Sequence, residues 1–217
     1  TRLHALNAIL DDLGRALANL GDINVQSVAG AISTATHGTG ARLGNLATQV
    51  VSLDLALADG SVRTISGGDE LLAARVSLGS LGVISAVTLK TVGAFRLRGV
   101  DERRSLDETL TRLDELADVN DHFEFWAFPH TDAALCRTNN RTDEPARPPN
   151  PVKAYLTETV LENKVLDAVC RAGRQFPGQI PRLNRFVTGA FSEQDRVDVG
   201  HRIFSSVRSV RFTESEW

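Results

Sequence analysis

The stretch "SVAGAISTATHGTGARLG", residues 27–44, decides how the rest of the chain is read. It is a run of small residues and threonines, broken by His37 and punctuated by Gly30, Gly38, Gly40 and Gly44. Nothing in it has the 3.6-residue or two-residue apolar period of a core helix or strand, so a loop or irregular segment is expected. Glycines let the backbone take positive φ and let another group approach closely. Ser27, Ser33, Thr34, Thr36 and Thr39 add hydroxyls, and consecutive amides in such a loop can form an anion-binding nest. Chemically this is a cradle for a diphosphate; it reads equally well as a tight packing segment with no ligand.

Working outward, Leu3, Leu6, Leu10, Leu13, Leu17 and Leu20 recur every three or four residues, with Asp11, Asp12, Arg15 and Asn19 between them. That spacing predicts one amphipathic helix ended by Gly21. After the cradle, "VVSLDLALADGSVRTI" alternates apolar and polar residues around Asp59-Gly60, which predicts a β-hairpin. A short helix near 69–77 leads through "GSLG" to "VISAVTLKTV", a strand apolar on parts of both faces.

The texture changes near Gly93. Ser105 and Glu108 form a capping box for a helix carrying Leu106, Leu110, Leu113 and Leu116. "HFEFWAFPH" reads as an aromatic strand that turns at Pro129–Asp132 into "AALCRT", and "NNRTDEPARPPNP" reads as a loop. Helices are expected near 152–173 and 180–190, split by Pro177-Gly178, and "SVRSVRFTESEW" reads as a strand and its exit. The layout is α+β, with a domain boundary near 93.

Bulk properties exclude several classes. A net charge of −3 offers no attraction for nucleic acid or anionic membranes. No apolar run reaches the roughly 18 residues that span a bilayer. Two cysteines, Cys136 and Cys170, make neither a disulfide framework nor a metal pair, and read as buried free thiols in a reducing, cytoplasmic setting. The absence of methionine, even at position 1, leads us to expect an internal piece of a longer protein. Familiar nucleotide and nucleophile motifs fail. Gly38, Gly40 and Gly44 have one residue too many for G-x-G-x-x-G, there is no Walker lysine, and "LGSLG" is not a nucleophile elbow.

Three blocks in order carry a resemblance: "GDINVQSVAGAISTATHGTG", "LATQVVSLDLALADGS" and "RVSLGSLGVISAVTLKTV". Together they resemble the second half of the PCMH-type FAD-binding domain of the vanillyl-alcohol-oxidase flavoproteins. Within that superfamily the chain is most similar to the sugar-1,4-lactone oxidoreductases, the gulonolactone and arabinonolactone oxidases or dehydrogenases. The likeness continues through "FEFWAFPHTD", "LNRF" and "HRIFSSVRSVRFTESEW". It implies the later part of an FAD domain over 1–93 and the first part of an α+β cap, or substrate, domain over 94–217.

The resemblance also implies roles. Ser27, Gly30, Thr34, Ala35, Thr36 and His37 would line the diphosphate and ribityl region of FAD, and Ile84 would touch its adenosine end through the backbone. His37 would position the cofactor, with a plain packing role as the alternative and catalysis the least favoured; the family's flavin-linking histidine, where present, lies in an earlier loop. Gly21 and Asp22 would lie at the reactive flavin edge, although many relatives carry serine in place of Asp22. A small residue such as Gly21 would leave oxygen a path to the flavin. No catalytic residue and no metal ligand is assigned, because the Glu-x-Arg pair of the cap is not matched by the "SVR" at 206–208 or 209–211. The implied reaction is hydride transfer from a sugar lactone to flavin, with oxygen, a cytochrome or a dye as acceptor. Peripheral membrane association of the parent protein stays open. An alditol or hydroxy-acid oxidase of the same superfamily, or a non-catalytic nucleotide-binding module, are the competing readings.

Overall fold

The structure, a computed structural model, describes residues 1–147, 165–191 and 193–204. The chain forms two compact units: Thr1–Phe95 with the returning segment at 199–204, and a second unit that begins at Arg96 and runs to Asp198.

In the first unit, α1 (Leu3–Asp12) is shorter than the leucine spacing predicts. Gly14, at φ +66°, donates its N–H to the Asp11 carbonyl (2.9 Å) and ends the helix seven residues before Gly21. The chain continues as β1 (Arg15–Ala16), paired antiparallel with β5 (Val92–Gly93). Leu17 and Leu20 are still buried, now from the non-helical segment that follows β1, while Leu13 is exposed. The leucine period marked burial correctly but ran through a helix stop that the glycine imposes.

The cradle is not wholly irregular. Residues Val28–Ser33 form a short helix, α2, because the Ser27 hydroxyl accepts the Gly30 N–H (3.0 Å) and so satisfies one of the orphan donors of the first turn. Ala31 and Ile32 face inward and are buried. Behind it, β2 (Val50–Ala56) takes the centre of a three-stranded sheet, between β3 (Val62–Ile65) and β4 (Val83–Leu89), antiparallel to both. Gly60 makes the expected hairpin turn at φ +82°, with the Ser61 N–H bonded to the Asp59 carboxylate. Leu53, Leu55 and Ile65 alternate inward, and α3 (Gly68–Arg75) adds Leu71 and Ala74 to the same core. The returning α8 (Gly200–Phe204) belongs to this unit, its Phe204 ring edge-on to Phe95 at 6.2 Å.

The second unit is a four-stranded sheet in the order β7 (His122–Ala127), β8 (Ala133–Thr142), β6 (Arg96–Ser105), β9 (Gln194–Val199). Strand β6 was missed in the sequence because its charged residues alternate with few apolar ones. It pairs with β8 over ten residues, Arg96 opposite Thr142 through Ser105 opposite Ala133. That pairing extends β8 into residues expected to be loop. Three strands are tied by one buried carboxylate. Asp101 on β6 accepts from Arg137 Nε on β8 (2.5 Å) and from Arg196 Nη2 on β9 (3.0 Å). A carboxylate 2% exposed needs such partners, since one left alone would be costly to bury.

The predicted capping box starts α4 (Leu106–Thr111), with the Ser105 hydroxyl accepting the Glu108 N–H. The helix then breaks at Arg112 and resumes as α5 (Leu113–Val119). Helices α6 (Leu166–Gln175) and α7 (Ile180–Ala190) flank a 3-10 turn at Pro177–Gln179, where the breaker was expected. The first part of the helix expected near 152–173, the Pro-rich end of the loop and the closing strand at 206–217 lie outside the described residues. Cys136 is buried, as expected, but Cys170 is exposed.

Candidate functional site

The residues singled out in the first unit fall at the two ends of α2. At its N-terminal end, Ser27 and Ile84 meet in one cleft of about 290 Å³, between α2, the α1 residue Leu6 and the β4 residues that follow Ile84. The lining is made of small and aliphatic residues, Ala29, Ser85 and Ala86 among them, and carries no charged side chain. Ile84 is fixed by antiparallel pairing with Leu55.

At the C-terminal end the backbone is pinned by threonines. Thr34 donates its hydroxyl to the Gly30 carbonyl (2.9 Å) and sits 3.4 Å from the Thr36 hydroxyl, which also accepts from Gln26 Nε2 (3.2 Å). Ala35 takes φ +53°, a left-handed conformation that favours a residue with little side chain to clash. The Thr36 N–H reaches back to the Ala31 carbonyl and its own carbonyl receives the Leu46 N–H, so the loop is held on both sides (2.9 Å each). His37 is exposed, with Nδ1 3.0 Å from the Gly38 carbonyl oxygen.

Against this loop lies the segment 19–22. Gly21 is buried so tightly that a Cβ would stand 2.9 Å from the His37 carbonyl oxygen. A Cβ on Gly38 would collide with the Leu20 carbonyl. Two backbones therefore touch because both carry glycine where they cross. Asp22 is half-buried beside Gly21.

Sequence reading missed what holds that crossing. Asn19, 3% exposed, donates Nδ2 to the carbonyls of Thr39 (3.1 Å) and Gly44 (3.3 Å), while its Oδ1 accepts the Leu20 N–H (3.0 Å). Gln49, also buried, accepts the Ala18 N–H (3.0 Å) and donates to the Asn19 carbonyl (3.2 Å). The one signal was a polar residue, Asn19, lodged between the two buried leucines Leu17 and Leu20. On a helix it reads as the solvent face; in the non-helical segment it is a clamp. Among the described residues, no group of three or more His, Cys, Asp or Glu side chains gathers to hold a metal ion. No helix there is long and apolar enough to cross a membrane.

A family profile described as D-arabinono-1,4-lactone oxidase matches residues 87–217, and one described as FAD binding domain matches residues 1–66. The chain belongs to the D-arabinono-1,4-lactone oxidase family. It is 49% identical over its whole length to an L-gulono-1,4-lactone dehydrogenase of Mycobacterium tuberculosis, covering 50% of that protein. It is 32% identical to the D-arabinono-1,4-lactone oxidase of Yarrowia lipolytica (89% of this chain, 36% of that one). With the L-gulonolactone oxidase of Mus musculus it shares 33% identity (92% and 46%). The chain thus spans about half the length, or less, of these curated relatives. Among solved structures, cholesterol oxidase from Brevibacterium sterolicum superposes with a TM-score of 0.72 at 17% identity, over 92% of this chain and 43% of that one. The α+β fold expected from the sequence is the one this family and that structure share.

Proposed function

We propose that this chain is part of an FAD-dependent oxidoreductase that oxidises a sugar 1,4-lactone. The observation that carries the reading is the convergence of Ser27 and Ile84, 57 positions apart in the chain, on one uncharged cleft at the start of α2. An adenosine is flat, largely neutral and in need of close backbone approach, and this lining of alanine, serine and strand backbone suits it. The remaining residues follow along α2, about 9 Å long at 1.5 Å per residue. In this reading Gly30 and the Thr34–His37 loop flank the diphosphate and ribityl chain, and Gly21 and Asp22 stand at the flavin edge. The units beginning at Thr1 and at Arg96 correspond to the FAD-binding and cap regions.

The chemistry that FAD supplies when bound is acceptance of a hydride from the lactone carbinol carbon. The chain's own residues bind and orient. Ser27 fixes the helix start, the threonine bonds fix the loop, and Asn19 holds the loop against Gly21. With only glycine there, the Gly21 position brings no side chain to the edge the ring would face. Oxygen, a cytochrome or a dye would take the electrons, and the protein would work in the cytoplasm or peripherally at a membrane.

The test is purification of the complete open reading frame that encodes this chain, followed by flavin analysis. Yellow protein carrying FAD, reducible by L-gulono- or D-arabinono-1,4-lactone with a dye acceptor, is expected. Protein that takes up no FAD refutes the cofactor reading. Turnover of alditols or hydroxy acids without lactones refutes the substrate reading alone.

A further inference from the structure

The second unit holds a cleft that the lactone reading does not use. It measures about 890 Å³ and lies where the Arg103–Ser105 end of β6, the turn Pro129–Asp132 and α7 come together. Arg103, Arg104 and Arg185 line it together with His130 and Asp132. Their neighbours decide which of these charges is available. Arg104 is engaged by Glu102 through Nε (2.7 Å) and Nη2, and Glu108, also on the lining, is engaged by Arg112 (3.1 Å). Among the described residues, the Arg103 and Arg185 side chains have no hydrogen-bond or ion-pair partner. Each offers a planar fork of five N–H donors, the geometry suited to tetrahedral or planar oxyanions.

The frame around these two side chains is fixed. Arg103 stands on a strand paired opposite Leu135, and Arg185 on a helix that Asn184 fastens to the turn by donating to the Pro129 carbonyl (3.0 Å). Thr188, 4% exposed on the lining, donates to the Asn184 carbonyl (2.9 Å) and anchors the next turn of α7. Asp132, on the same lining, carries a carboxylate that can accept from hydroxyl groups, and the Thr131 hydroxyl, already donating to the Phe128 carbonyl (2.9 Å), keeps its lone pairs for the same use. The cleft therefore combines forked cationic donors with hydroxyl acceptors, in a volume that holds a small molecule.

We propose that this cleft binds a phosphate monoester of a polyol or sugar, with Arg103 and Arg185 on the phosphate and Asp132 and Thr131 on the hydroxyls. Its lining shares no residue with the α2 cleft, and the proposal does not depend on the FAD reading.

The probes are glycerol phosphate, inorganic phosphate and uncharged glycerol, titrated calorimetrically into the complete protein at low salt. Saturable binding is expected for glycerol phosphate, weaker binding for phosphate alone and none for glycerol. Arg103→Gln and Arg185→Gln should each weaken glycerol phosphate roughly tenfold or more, as loss of a charge-assisted bond does. Arg182→Gln, whose residue bonds Gln179 and is not on the lining, should leave it unchanged. Asp132→Asn should weaken glycerol phosphate but not inorganic phosphate. Because Arg103 and Arg185 are exposed, circular dichroism should show the variants folded. No saturation below about 10 mM, or equal affinity in wild type and the Arg103→Gln/Arg185→Gln double variant, overturns the proposal. Equal binding of phosphate and glycerol phosphate, insensitive to Asp132→Asn, refutes the polyol part and leaves a plain anion site.

Discussion

Asn19→Ala removes the clamp between the 19–22 segment and the cradle loop, and its cost can be worked from the structure. The side chain makes three hydrogen bonds and is almost fully enclosed. The Leu20 N–H, on a buried residue, loses the acceptor it has, and an orphaned buried donor costs about 1–3 kcal/mol. The Thr39 and Gly44 carbonyls are nearer the surface and can recruit water, so about 0.5–1 kcal/mol each is reasonable. The sum is about 2–5 kcal/mol, a large share of the roughly 5–15 kcal/mol that holds a domain together. Thermal unfolding should show the first unit's transition lowered by roughly 8–40 °C, at about 4–8 °C per kcal/mol for a unit of this size. Hydrogen exchange localises the effect: amides of 37–44 should lose protection, while those of β6 and β8 keep theirs. If flavin is held as proposed, its affinity should fall by more than the loss of folded protein explains. A transition shifted by less than about 2 °C, with unchanged exchange at 37–44, would refute the clamp.

Gly21→Ala should weaken flavin retention through crowding, since its φ is not left-handed and only the methyl meets the His37 carbonyl; overpacking of this kind costs about 1–3 kcal/mol. Stopped-flow reoxidation per bound flavin then tests the oxygen path, which predicts a slower oxygen rate with dye reduction preserved. At acid pH the second unit should lose stability through Asp195, whose carboxyl the hydrogen bond from Arg98 holds below the usual range. A lowered folded pKa contributes stability above the ordinary value near 4 and loses it as pH falls through the folded value, so Asp195→Asn should flatten the unfolding profile below about pH 4. Thiol labelling of the native protein followed by peptide mapping should modify Cys170 and spare Cys136, whose thiol burial pushes upward.

What the sequence disclosed and what it hid divide along a physical line. Local chemistry was legible: Asp59-Gly60 makes its hairpin, Ser105 caps its helix, and Pro177-Gly178 separates two helices. Each is set by residues within a few positions of one another. Burial was legible too, since Leu17 and Leu20 are in the core even though the helix predicted to put them there ends at Asp12. What escaped was pairing at a distance. Strand β6 exists because β8 offers ten partners and Asp101 draws in Arg137 and Arg196, and none of that is periodic in "RLRGVDERRS".

The candidate site follows the same rule, and its two halves were not equally hidden. The cradle residues announced themselves by composition, because close backbone approach demands glycine, alanine and small hydroxyls. Their supports did not, since a buried amide such as Asn19 or Gln49 is indistinguishable in sequence from a surface one until its backbone partners are known. The crossing of Gly21 over His37 gives the reason such supports are needed. Two backbones in contact bury little apolar surface between them, because glycine brings no side chain to the contact. Hydrophobic packing therefore cannot fix their separation to the few tenths of an ångström that a ligand's contacts require. Directional bonds can, and the Asn19 amide spans from one backbone to the other with two donors and an acceptor. The residues that would touch a cofactor are thus the small ones, while the precision of the site resides in the polar side chains behind them.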